Sequence, residues 1–391
     1  MDQNTARALF ELGACLVILN APVGIEFGID LDTWKTGPLF KGIKMIPPGI
    51  HYVHYSVFNS EGQPGMRSGF FHNFQSQQLI AKQWSSRNEE LEDLSEQDVR
   101  CIQLNIRDLD GNLGAYQMAT YPRWQQLTRH ITSRLLDQVL PAHGGWFSSA
   151  TGSVYEDEEM DRVHRRLEQQ IQSGKLEDSQ EIRQIIDNEK QTRDRLESAY
   201  RQDRFGFTHI DIKRSFPKSA SVEEIRRYSQ DKSWLLTKLY ETQWHSHARL
   251  LGEFELAFLV ILVGQNFTGL EHWKRLLHLV LGSCEILSQV QVVRDLFVPL
   301  LGVLMGQLHE CPVEFVASVL EQDNFVAEIL KTFVLNVYEC GYQEAQQLLF
   351  PEISRLRKLL ATFDWTLPDG QQLQEAADLE EGEYAPQIVE L

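Results

Sequence analysis

The chain has 391 residues, 42% of them hydrophobic, with 55 acidic against 37 basic side chains and a net charge of −18. That length holds two or three domains with filled cores. The acidic balance argues against broad nucleic-acid affinity, which needs lysine and arginine for phosphates, and suits a basic protein partner better.

Residues 5–12 read as a short helix, with Ala6, Leu9 and Phe10 apolar and Gly13 placed to end it. From 16 to 55 short apolar runs are cut by turn residues. The run 16–19 stops at Asn20-Ala21-Pro22, and 25–27 is broken by Gly28. The segment 43–46 alternates apolar and charged side chains, Pro47-Pro48-Gly49 forces a reversal, and 50–55 alternates again. A period of two sends one face to a core and the other to water, while proline and glycine supply the reversals. The pattern is that of a small β domain whose product is a surface. After a loop at 59–65, residues 66–74 and 79–84 read as two strands joined by a turn at 75–78. Residues 85–96 are polar, and 99–109 read as either a strand or a helix. A helix opens at Pro122-Arg123-Trp124 and runs to about 140, with Trp124, Leu127, Ile131, Leu135 and Val139 on one stripe.

From 155 to 204 acids and bases are interspersed and aromatics nearly vanish. This reads as a mobile linker or extended helix, with a docking helix as the alternative. Residues 205–216 alternate and predict one strand returning to the first domain. From Ser221 the pattern is helical. Ser221 and Glu224 have capping-box spacing. Residues 233–240 continue an apolar stripe, and 250–263 are apolar nearly all round, ended by Gly264. Further helices follow at 270–281, 292–308 (kinked or restarted at Pro299), 312–320, 324–340 and 342–363. Their loops are short, and no internal repeat of fixed period is visible. After a turn at Pro368-Asp369-Gly370 the tail is polar and acidic. It then ends in a β-capable segment, Tyr384-Ala385-Pro386-Gln387-Ile388-Val389-Glu390-Leu391. Such a tail is either disordered or a peptide that adds a strand to a partner's sheet edge. The resulting organisation is α+β with two domains: a β-rich domain at 1–152, a charged linker at 153–204, a connecting segment at 205–220, a helical domain at 221–366 and an acidic tail at 367–391.

The sequence offers no catalytic, cofactor-binding or metal-binding residues. His51 and His54 lie three apart on a strand and point to opposite faces. His245 and His247 make at most two ligands, where a zinc site wants three or four. No GxSxG elbow, P-loop or GxGxxG fingerprint is present. Glu156-Asp157-Glu158-Glu159 reads as solvated charge, and the eight tryptophans as core or interface anchors. The five cysteines (15, 101, 284, 311 and 340) are scattered, odd in number and without a CxxC pair. They read as buried free thiols in a reducing compartment. Met1-Asp2-Gln3 lacks the positive region of a secretory signal. The apolar run 256–263 is far short of the ~20 residues that span a bilayer. The expectation is a soluble protein, cytoplasmic and nuclear, with no membrane association.

Two stretches then become specific. ILNAPVGIEFGID followed by GPLFKGIKMIPPGIHYVHYS resembles the amino-terminal domain of the Aar-two splicing factor family. In the helical half, LGEFELAFLVILVGQNFTGLEHWKRLLHLV and Gln322-Asp323-Asn324-Phe325 extend the resemblance. Residues 155–204 are not covered by it. The resemblance implies an amino-terminal β-sandwich-like domain with helices and a carboxy-terminal all-α, VHS-like domain. It also implies a non-enzymatic assembly chaperone of the U-five snRNP. Such a chaperone binds the RNase H-like and Jab/MPN-like domains of the large scaffold protein (Prp-eight) and keeps the snRNP helicase off until maturation. In that family the carboxy-terminal tail pairs as a strand with the scaffold, a role that falls here on Tyr384, Pro386, Ile388, Val389 and Leu391. No cofactor and no direct nucleic-acid contact are implied. The competing expectation is a hydrolase-like enzyme with an unrecognised site in the first domain, which would need a cleft with a strongly perturbed Asp, Glu or His.

Overall fold

The computed structural model describes residue 9 and residues 12–59, 62–142, 144–154, 203–312 and 325–375. Most of the expected helix 5–12, residues 155–202 of the charged segment 155–204, residues 313–320 of the helix expected over 312–320, and the tail segment 384–391 lie outside the described residues. Two units are present, one within Met1–Phe207 and Leu259–Thr268, the other within Thr208–Phe258 and Gly269–Leu391.

Among its described residues the first unit holds ten strands: β1 (Ala14–Leu19), β2 (Glu26–Ile29), β3 (Asp32–Lys35), β4 (Gly42–Ile46), β5 (Gly49–Phe58), β6 (Pro64–Phe74), β7 (Leu79–Ser85), β8 (Glu90–Asp93), β9 (Leu113–Ala115) and β10 (Trp146–Ser148). They form two five-stranded sheets, ordered β8-β7-β1-β4-β9 and β10-β6-β5-β2-β3. One side of the alternation forms the expected core, but the other side of β5 is not in water: Tyr52 and His54 are buried as fully as His51 and Val53. Ala14, Leu16 and Ile18 of the first sheet meet Phe27, Ile29, Val53, Tyr55, Phe70 and Phe74 of the second in one buried cluster. Each such side chain contributes about 1.5–3 kcal/mol by leaving water. The outer face of the first sheet, with Val17, Ala81 and Leu113, is covered by Val99, Ile102, Ile106 and Leu109. These come from helix α1 (Glu96–Leu104) and the 3₁₀ turn Ile106–Asn112, so the ambiguous segment 99–109 is helical. The Pro47-Pro48-Gly49 reversal carries the chain from one sheet to the other, with Gly49 at φ 139°, a conformation open to glycine.

Several expectations need correction. Gly28 does not break its strand. It sits inside β2, paired with Thr33 and His54, and a Cβ there would overlap the His54 ring. The strands β3 (DTWK) and β8 (ELED) are not visible in the sequence, because each has one large apolar side chain, Trp34 or Leu91, among charged or polar neighbours and so shows no alternation. The helix expected from 122 to 140 is two helices, α2 (Tyr121–Leu127) and α3 (Ser133–Val139). Thr132 is extended, and its hydroxyl accepts from Leu135 N, so a new N-cap restarts the helix. All five stripe residues are buried nonetheless. Residues 205–216 form no strand. A single parallel bridge joins Phe205 to Ser153, and Gly206 N donates to Val139 O at 2.8 Å.

The second unit is helical: α4 (Val222–Gln230), α5 (Ser233–Leu239), α6 (His247–Leu262, its residues 259–262 belonging to the first unit), α7 (Phe267–Leu281), α8 (Val290–Glu310), α9 (Phe325–Glu339) and α10 (Gln343–Ala361). The Ser221–Glu224 capping box is formed, both hydrogen bonds present. At Pro299 the helix α8 neither stops nor restarts. Proline has no N–H for the preceding turn, and the backbone instead widens into a π turn over Val293–Phe297 just before it. By length and composition α8 would pass for a membrane span. In this unit it serves as a core helix, burying Val293, Leu296, Phe297, Leu300, Leu301 and Leu304.

Candidate functional site

The residues that make the opening stretch distinctive converge inside the first unit. The register that sets Gly28 beside His54 continues through Ile29 and Val53 to Asp30, whose N donates to Tyr52 O at 2.8 Å. Asp30 itself stands at φ 56° in the turn between β2 and β3. This delivers its carboxylate to His51 on the neighbouring strand. Oδ2 lies 2.6 Å from His51 Nδ1 and accepts from the Tyr116 hydroxyl at 2.7 Å, while Oδ1 accepts from Tyr52 N at 2.9 Å. The other ring nitrogen, Nε2, faces Pro47 O at 2.8 Å. A carbonyl can only accept, so Nε2 carries a hydrogen. A further proton then sits between His51 Nδ1 and Asp30. Burial pushes the Asp30 carboxyl up, against the pull of His51. The group is enclosed, with Asp30 1% and His51 0% exposed.

The opposite side of β5 carries a second polar row. Tyr52 and His54 stack at 5.6 Å, and Tyr52 also stacks on Phe147 at 5.3 Å. Arg67 bonds Glu26 through one guanidinium nitrogen and Val263 O at 3.1 Å through the other. Val263 is part of residues 259–268, which belong to this unit. There Asn266 Nδ2 also donates to Ser148 O and Thr151 O, at 2.8 Å each. Burial, aided by the Arg67 charge, drives His54 down to about 3, so the ring is neutral.

The second unit has its own carboxylate knot, again from the distinctive residues. Glu253 of α6 is 1% exposed. Its Oε1 accepts from Thr208 N and meets His272 Nε2, both at 2.7 Å. Its Oε2 accepts from Thr208 Oγ1 at 2.9 Å and Trp244 Nε1 at 2.7 Å. Burial works against the charge, yet His272, Trp244 and Thr208 together hold the carboxyl below its usual range.

Chemically, both knots are closed. A general acid or base must reach the proton that it moves, and Asp30, His51, Glu253 and His272 are all buried. Their work is to tie distant segments together: 30, 51 and 116 in one unit, 208, 244, 253 and 272 in the other. The sequence pattern shows neither the partner of His51 nor the Glu253 knot. The available signal was register. Once β2 and β5 pair, the residue after Ile29 must face the start of β5. Among the described residues no group of three or more His, Cys, Asp or Glu could hold a metal ion. The cysteines are free, but only Cys311 is buried, and Cys101 is exposed, because spacing alone says nothing of depth. Of the tryptophans, Trp84, Trp124, Trp244 and Trp273 are core residues. Tyr384, Pro386, Ile388, Val389 and Leu391 lie outside the described residues.

Comparison with known proteins covers both units. Residues 12–141 match the family profile described as the AAR2 N-terminal domain, and residues 207–368 match the AAR2 C-terminal repeat region. The chain is 33% identical over 339 residues to a Homo sapiens protein named Protein AAR2 homolog, covering 85% of each chain. A Mus musculus protein of the same name is 33% identical over 341 residues, again covering 85% of each chain. A Caenorhabditis elegans one is 29% identical over 347 residues, covering 85% of this chain and 89% of the relative.

Proposed function

The chain belongs to the AAR2 family, and from that membership we propose a splicing-related role as a binding factor rather than an enzyme. The fuller reading is an assembly chaperone of the U-five snRNP, acting in the cytoplasm and nucleus. It binds the RNase H-like and Jab/MPN-like domains of the large scaffold protein and keeps the snRNP helicase off until maturation is complete. The observation that carries it is the match of both units to the two family profiles. Two features support binding over catalysis: the most reactive-looking groups, Asp30 with His51 and Glu253 with His272, are buried and committed to internal hydrogen bonds, and the net charge of −18 favours a protein partner over phosphate.

In this reading the tail from Tyr384 to Leu391 adds a strand to the partner. Main-chain hydrogen bonds supply affinity, and alternate side chains supply specificity. A pulldown on recombinant scaffold domains tests it, comparing the full chain with a version ending at Gly382. Loss of at least tenfold in affinity on truncation is expected. Equal affinity removes the tail from the mechanism, and no affinity for either version removes the scaffold as partner.

A further inference from the structure

Helices α9 and α10 and the turn after them enclose a groove of about 330 Å³ in the second unit. Its floor is apolar, with Ile353 buried. Its walls include Tyr338 and Phe350, 39% and 44% exposed, which leaves two aromatic faces open to water. Arg357 supplies a charge. Its Nε holds Leu367 O at 2.9 Å, and its guanidinium lies 3.9 Å from the Asp369 carboxylate, beyond hydrogen-bond reach. Gly370 sits on the Tyr338 ring, where any Cβ would overlap it. That contact fixes the start of the helical stretch 370–375, so that Gln371, the next residue, stands on the groove's rim.

The chain runs on from this rim, and residues 376–391 have a matching composition. They carry five acids (Asp378, Glu380, Glu381, Glu383 and Glu390), no lysine or arginine, and large apolar side chains at Leu379, Tyr384, Ile388, Val389 and Leu391. A segment tethered so close to a site faces it at an effective concentration in roughly the millimolar range. Even weak contacts then suffice. We propose that the groove is the docking site of the chain's own segment 383–391, with an apolar side chain between Tyr338 and Phe350 and a glutamate on Arg357. The docked segment is withheld from other partners until one of them competes for it. This inference stands apart from the scaffold reading, since it concerns the chain alone.

Hydrogen–deuterium exchange of the full chain tests it, read on peptides from 376–391. In the wild type these amides exchange at least tenfold more slowly than in a free peptide of the same sequence. Phe350→Asp and Arg357→Glu each abolish that protection, and Arg357→Lys keeps part of it. Unchanged exchange in α9 and α10 peptides shows that the variants remain folded. Tail exchange at the free-peptide rate in the wild type overturns the proposal. So does protection that survives both substitutions, which places the tail elsewhere, and so does protection that scales with protein concentration, which makes a second copy the occupant.

Discussion

The two buried carboxylate knots differ in their number of hydrogen-bond donors, and in the direction in which their carboxyls are shifted. Asp30 receives the Tyr52 amide, the Tyr116 hydroxyl and the His51 contact, and burial still pushes it up. Glu253 receives two groups on each oxygen, with the indole of Trp244 completing the set, and it is held down despite equal burial. One further donor thus moves the balance between desolvation and hydrogen bonding from one side to the other. The signs for stability follow. Glu253 adds stability above its ordinary range, and this is lost as pH falls through its depressed value. Asp30 favours the fold below its ordinary range, and loses that contribution as pH rises through its elevated value.

The largest test of this contrast is Glu253→Ala. It leaves His272, Trp244 and Thr208 facing an empty site and should cost about 3–5 kcal/mol in guanidinium unfolding. A loss under about 1 kcal/mol would mean that the four-donor cage does not favour the ionised carboxyl. Next, Gly28→Ala drives a methyl into His54 and should cost roughly 1–3 kcal/mol. Adding His54→Ala should recover part of that loss, giving a non-additive cycle. Third, the acid response of the first unit should come from His54 rather than Asp30. With its folded value near 3, the unfolded chain takes up the proton first. Stability is then whole above about pH 6.5 and falls by up to ~1.4 kcal/mol per pH unit below it. His54→Leu should flatten the slope of unfolding free energy between pH 6.5 and 5 by about that amount, and an unchanged slope would assign it to other groups. Smallest, Tyr116→Phe removes one bond to Asp30 and should cost about 1 kcal/mol, with its thermal midpoint lowered by a few degrees.

Much of the first unit is legible because short apolar runs cut by turn residues mark β1, β4, β5, β6 and β7, although β1 and β5 bury both faces. Where that signal fails the reason is physical. β3 and β8 are edge strands of four residues, solvated enough to resemble turns. The break between α2 and α3 hides inside an unbroken apolar stripe, because both helices bury the same side. His51 and His54 face opposite sides of β5 as their spacing predicts, yet Asp30, 21 positions before His51, is joined to it only by strand pairing, which a linear pattern does not display. In the helical half, Ser221 and Glu224 marked a helix start through local chemistry alone, whereas Glu253, His272 and Thr208 meet only through packing.

The strand order has a consequence for synthesis. The second sheet is assembled largely from neighbours in the chain, β2 with β3 and β5 with β6, so four of its five strands have left the ribosome once Phe74 emerges. The first sheet cannot close then. β1 waits for β7, and β4 waits for β9, which pairs Gly42 with Leu113. During that interval the apolar side of the early sheet, with Phe27, Val53, Phe70 and Phe74, has only β1 and β4 to cover it. Nascent chains paused between residues 74 and 113 are therefore the ones exposed to misassociation, and codon-level slowing in that interval would lower the yield of folded protein more than slowing elsewhere.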